Sequence, residues 1–94
     1  MSVYSIWESR FPADAVEEGI ETTKAIWADM RSFDGLLEHE LIEDLDQLGH
    51  LFVVSQWVSR EAAEAALVYL SHPNAKRVDE LVSEPRRRTV GAAL

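Results

Sequence analysis

The 94-residue chain contains no cysteine, which excludes a disulfide framework, thiol chemistry and a cysteine-based zinc site. Proline and glycine are scarce, at three and four residues, so each one marks a specific break or turn rather than a flexible linker. Positive charge is also in short supply. Nine Lys and Arg stand against 17 Asp and Glu, a net charge of -8, which repels a phosphate backbone or an anionic bilayer and argues against nucleic-acid and membrane partners. No apolar run approaches the roughly 20 residues of a membrane-spanning helix, and Met1-Ser2-Val3-Tyr4 lacks the basic-then-apolar order of an export signal. A cytoplasmic, reducing location is expected. His39, His50 and His72 show no helix-turn spacing, so no metal site is expected. What the chain does have is 47% apolar residues and three Trp. That is enough for one core, hence one domain over residues 1–94, but a domain this small gains much from pairing with a copy of itself.

The hydrophobic periods run in the order β-α-β-β-α-β, an α+β pattern. Val3 to Phe11 alternates, with Val3, Ser5, Trp7 and Ser9 on one side and Tyr4, Ile6, Glu8 and Arg10 on the other. Pro12 and the acidic Asp14, Glu17 and Glu18 predict a helix beginning near Ala13. Its sheet-facing stripe is Val16, Ile20, Thr23, Trp27 and Met30. Gly19 interrupts that helix at a cost of about 1 kcal/mol against Ala, which suggests a close contact at its backbone. Asp34-Gly35 closes the helix and starts a strand over Leu36 to Asp44; an acidic turn ending in Gly49 leads into a third strand, Leu51 to Val58. Ser59 is a good N-cap for an alanine-rich helix with Ala62, Ala66, Tyr69 and Leu70 on one face. Pro73 should interrupt it, after which Asn74 to Ser83 resumes with Val78, Leu81 and Val82 inward. The tail from Arg86 to Leu94 predicts a last strand only weakly, because Gly91 and two alanines oppose extension.

Several of these words are shared with a known family. Gly35-Leu36-Leu37, the acidic turn, Phe52-Val53-Val54-Ser55-Gln56-Trp57-Val58-Ser59, the alanine-rich helix and Ser71-His72-Pro73 together resemble the antibiotic biosynthesis monooxygenase family over nearly the whole chain. The resemblance implies a ferredoxin-like βαββαβ plait, an antiparallel four-stranded sheet with two helical segments on one face. Two copies would join sheet to sheet as a dimeric α+β barrel. It also implies a cofactor-independent monooxygenase that oxidises a small aromatic, polyphenolic or quinol metabolite with O2, without metal or flavin. A non-catalytic small-molecule-binding or interaction module of the same fold is the competing reading. One branch of the family degrades haem with an Asn on strand one and a Trp and a His on the second helix. Here Glu8 or Ser9, Ala66 and Lys76 stand at those positions, so that set is absent.

Within this frame His39 is the first candidate catalytic group, a neutral imidazole able to take a phenolic proton near pH 7. It would equally be a surface histidine among Glu38, Glu40 and Glu43, since alternation does not say which sheet face is covered. His72 is the second candidate, at a pocket mouth or, before Pro73, serving the turn. Trp57, Trp27, Tyr69 and Trp7 are the candidate substrate-binding residues, each of which can also be ordinary core, and Trp7 can belong to the dimer face instead. Arg86-Arg87-Arg88 reads as edge-strand charges paired with acidic neighbours. A cavity of roughly 300 Å³ or more with convergent polar groups would favour an enzyme, and helices collapsed on Trp27 and Trp57 would favour a structural protein whose pocket is filled by side chains.

Overall fold

The computed structural model describes residues 2–94. Strand β1 (Val3–Arg10) leads through a single 3₁₀ turn at Ala13–Ala15 into helix α1 (Val16–Met30); β2 (Leu36–Glu43) and β3 (His50–Trp57) follow as a hairpin. Then come α2 (Arg60–Ala65), a 3₁₀ segment at Ala66–Ser71, α3 (Pro73–Leu81) and β4 (Arg87–Ala92). The four strands form one antiparallel sheet in the order β2-β3-β1-β4, the ferredoxin-like plait, with the three helices covering one face.

Register decides which residues meet those helices. Ser5 pairs with Ser55, Trp7 with Val53 and Ser9 with Leu51, and on the flanks His39 pairs with Ser55 and Arg88 with Trp7. Leu51, Val53, Ser55 and Trp57 are buried while the residues between them are half-exposed, so this is the covered face. Tyr4, Ile6, Phe52, Val54 and Ile42 therefore share the open face with Glu8, Arg10, Glu38 and Glu40. A register irregularity between Leu36 and Glu38 resets the alternation of β2 and leaves Leu37 exposed.

The helix layer departs from the sequence pattern in places. The buried stripe of α1 takes in Gly19 and Ile26 besides Val16, Thr23, Trp27 and Met30, because α3 packs beside it and widens the covered arc beyond a single seam. Pro73 separates two helical stretches, as its place in the sequence predicts. It opens α3 from its first position, where a missing N–H costs nothing, and the preceding stretch tightens into 3₁₀ geometry. Strand β3 starts one residue early, at His50. The weakly predicted last strand forms in full, since β1 supplies its hydrogen-bonding partner and the edge position tolerates Gly91. Gly35 and Gly49 lie at φ of +89° and +85°, the left-handed region that lets the chain turn into β2 and β3.

The anomaly at Gly19 has a definite cause. A Cβ there would lie 2.6 Å from the ring of Phe11, which is itself 4% exposed and so cannot swing aside. Gly19→Ala is therefore expected to destabilise the fold by about 1–3 kcal/mol through overpacking, despite the better helix propensity of alanine. Urea denaturation of both forms checks the sign.

Candidate functional site

Three indoles from three elements converge beneath the helix layer. Trp57 ends β3, is 1% exposed, and donates its Nε1–H to Ser5 Oγ at 3.0 Å, which satisfies the only polar atom of the ring. Phe33 meets it edge-on at 6.1 Å. Trp27 reaches down from α1, and Trp7 lies on β1 next to Trp57's partner, Ser5. Together with Tyr69 and Arg88 these residues line a small cavity of about 40 Å³. Its roof is the 3₁₀ segment, which contributes Tyr69 and Leu70. Outside that roof an open groove of about 580 Å³ runs along the loop before β4 and shares the walls Trp7 and Leu70 with the cavity.

The polar groups of this region are mostly basic. Arg86 lies over the Trp7 ring at 4.7 Å and Arg88 at 6.0 Å. Arg86 pairs with Asp79 at 2.7 Å, and Arg88 with Glu64 at 3.4 Å and with the carbonyl of Ala63 at 3.2 Å. Only Arg87 of the triplet behaves as an exposed edge charge. Arg86 and Arg88 are mostly covered because the cross-strand register turns Arg88 inward beside Trp7. Tyr69 donates its hydroxyl to Asp29 at 2.8 Å; burial first, and then that carboxylate, push its pKa up to about 12. It is a hydrogen-bond donor at neutral pH, not a base. Ser55 Oγ, fully buried between Ser5 and His39 in the cross-strand row, has no partner among the described residues.

The structure thus brings together Trp7, Trp27, Trp57 and Tyr69 around one cavity, and neither His39 nor His72 lines it, although each lies against one of the four. His39 is on the helix-covered face, its ring 5.4 Å from that of Trp27, but it lines other recesses, one shared with Trp27 and one with Glu38 and Glu40. His72 lines none of these cavities. Its ring stacks on Tyr69 at 4.4 Å and its Nδ1 accepts the N–H of Asn74 at 3.1 Å, so it caps α3 and braces the roof, the turn-serving role open to a histidine before proline. Trp7, which alternation left free to be a dimer-face residue, is on the covered face.

A second cluster sits on the open face. His50, 7% exposed, places Nδ1 2.8 Å from Asp44 Oδ2 and Nε2 2.6 Å from Glu8 Oε2. Carboxylates only accept, so both contacts are satisfied when both ring nitrogens carry protons, as the imidazolium. Hydrogen bonds to Asp44 and Glu8 hold His50 above its ordinary 6.5. In turn the hydrogen bond from His50 holds Glu8 and Asp44 below their ordinary values. Spacing did not flag this cluster, because Glu8 and His50 are 42 residues apart and only strand pairing joins them. Arg88 was hidden for the same reason.

The sequence matches the model of the antibiotic biosynthesis monooxygenase family over residues 2–78. The chain belongs to that family. The match stops short of β4. No curated protein matches the chain. Among solved structures it is similar to Rv0793 from Mycobacterium tuberculosis, with a TM-score of 0.82 and 26% identity over 100% of this chain and 96% of that one. SnoaB from Streptomyces nogalater, described as a cofactor-independent oxygenase, superposes with a TM-score of 0.82 at 16% identity, over 99% of this chain and 93% of its own. PA3566 from Pseudomonas aeruginosa gives 0.83 at 17% identity, covering 99% and 94%. No helix among the described residues is long and apolar enough to cross a membrane.

The His50 cluster carries a pH signature. The stabilisation from a raised His50 is fully present below its ordinary 6.5 and is lost as pH rises through the raised value. That from the lowered carboxylates is present above their ordinary 4.5 and 3.8 and is lost as pH falls through the lowered values. The cluster therefore contributes most in mildly acidic solution. His50→Gln is expected to lower Tm by several degrees at about pH 6 and by progressively less toward about pH 9, as read by thermal melts across that range. A constant difference would show that His50 acts by packing alone.

Proposed function

We propose that the chain binds a small planar phenolic or enolisable aromatic metabolite in the helix–sheet recess and oxidises it with O2, without metal or flavin. The observation that carries this reading is the convergence of three indoles on one recess whose polar lining includes a guanidinium, Arg88, and a hydroxyl, Ser5. The indoles would stack the ring and exclude water. Arg88 would stabilise the phenolate or enolate, the form electron-rich enough to pass an electron directly to oxygen. Conversion of a ring methylene to a carbonyl, CH2 + O2 → C=O + H2O, balances with no external reductant. Family membership supports the oxygenase chemistry, and the likeness to SnoaB supports the fold in which it would occur.

A non-catalytic binding module is the second reading, and the tight closure of the cavity favours it. About 40 Å³ is well below the ~150 Å³ that holds a benzene ring. A ligand has to displace Leu70, the wall shared with the open groove, which makes the 3₁₀ segment the element that moves. His39 acts as a base in this scheme only on a ligand that passes Trp27, so its contribution is secondary to that of Arg88. The cytoplasmic location expected from the sequence, which shows no export signal, membrane span or cysteine, remains part of the proposal.

Oxygen uptake with a panel of hydroquinones and anthrones separates the two readings. Uptake that falls about tenfold or more in Arg88→Gln, equivalent to ~1.4 kcal/mol or more of barrier, and less in His39→Ala supports catalysis at the tryptophan recess. Tryptophan quenching by the same compounds with no uptake by the wild type selects the binding module.

We further infer that two copies pair through their open sheet faces into an α+β barrel. Ile42, 42% exposed, and half-exposed Tyr4, Ile6, Phe52 and Val54 make that face too apolar to be left to water. Val54→Glu, at the centre of the face on β3, is expected to yield a folded monomer by sedimentation velocity where the wild type sediments as a dimer.

A further inference from the structure

Beside Trp27, between α1 and β2, lies a recess of about 240 Å³ lined by Thr23, Lys24, Trp27, Arg31, His39 and Leu41. It exists because β2 is an edge strand and its inward residues His39 and Leu41 are left half-covered where α1 leans toward α3. On α1 the residues Lys24, Trp27 and Arg31 recur at spacings of three and four and so form one stripe along the recess. Trp27 is the wall shared with the tryptophan cavity.

The charge of this recess opposes that of the chain. A protein of net charge -8 presents here two cations and an imidazole, with no carboxylate in the lining. Glu38 and Glu40 point to the other face by register and meet His39 only in a separate recess of about 170 Å³ beside Tyr4 and Gln56; Glu43, inward by alternation, is exposed beyond Leu41. Lys24 has Glu21 at 3.8 Å, with both side chains exposed, an arrangement worth little in water. Arg31 takes part in no ion pair among the described residues, whereas Arg10, Arg60, Arg77, Arg86 and Arg88 all do. The imidazole of His39 and the indole of Trp27, 5.4 Å apart and inclined by 32°, supply flat surfaces beside those cations. None of the hydrogen bonds among the described residues involves the His39 ring.

We propose that this recess is a binding site for a planar aromatic carboxylate. The ring lies against Trp27 and His39, and the carboxylate is taken by the Arg31 fork with Lys24 as a point charge. The volume suits one ring, since ~150 Å³ already holds benzene. This site is independent of oxidation in the tryptophan cavity: it requires no motion of Leu70 and none of the residues at Arg88.

Benzoate is the probe, benzamide its neutral isostere, and amide chemical shifts of the ¹⁵N-labelled full chain the readout. Benzoate is expected to shift the amides of Lys24 to Arg31 and of His39 to Leu41 saturably. Benzamide should bind roughly tenfold more weakly, and Arg31→Gln should weaken benzoate by a similar factor while leaving the rest of the spectrum in place. Shifts clustered instead at Trp7 and Arg86, equal binding of the two probes, or unchanged affinity in both Arg31→Gln and Lys24→Gln would each overturn the proposal. Oxygen uptake lost in Arg88→Gln with benzoate binding intact would show that the two sites stand or fall separately.

Discussion

The structure depends on the register between β1 and β3. These central strands set Ser5 opposite Ser55 and Trp7 opposite Val53, and the buried bond from Trp57 Nε1 to Ser5 Oγ ties the two strands together inside the core. Side chains alternate along a strand with a period of two, so a slip of β1 by one residue would send Trp7 to the open face and bring Glu8 under the helices. That arrangement buries charge and exposes an indole, and the sheet has no intermediate choice. Everything on the covered face follows from this pairing, including the inward aim of Arg88 and of His39.

Around this constraint the chain keeps two chemistries on opposite sides of one sheet. The covered side is aromatic, with Arg86, Arg88, His39, Ser5, Ser9 and Ser55 among its polar groups. The open side carries the Glu8–His50–Asp44 cluster, whose members satisfy one another, set among apolar residues. A buried imidazolium flanked by two carboxylates is tolerable because every donor meets an acceptor. Ser55 is the exception to such satisfaction on the covered side, and its orphan hydroxyl lies in the row that runs from His39 to Ser5.

Family membership narrows the chemistry without placing it. Many functions share this plait, and the set of groups that the haem-degrading branch uses is absent here. In this chain Trp27 borders two spaces, a small indole-lined cavity and a more open basic recess. The 3₁₀ segment braced by the Tyr69–His72 stack is the part of the layer without a regular helical ladder.

Much of the fold was legible in the chain itself. Two-residue alternation announced β1, β2 and β3, the spacing of Val16, Thr23, Trp27 and Met30 announced α1, and Ser59 marked the start of α2, because these signals are local and repeat with the period of the backbone. The missed features share another cause. Strand β4 is propensity-poor and forms because β1 pairs with it. Alternation sorts residues into two sets without saying which set is covered, so Trp7 and His39 could not be placed. The local chain therefore determined the elements and the family, whereas only tertiary packing decided the site. Its groups come from positions as far apart as Trp7 and Arg88, and strand pairing, a long-range interaction, is what brings such residues together.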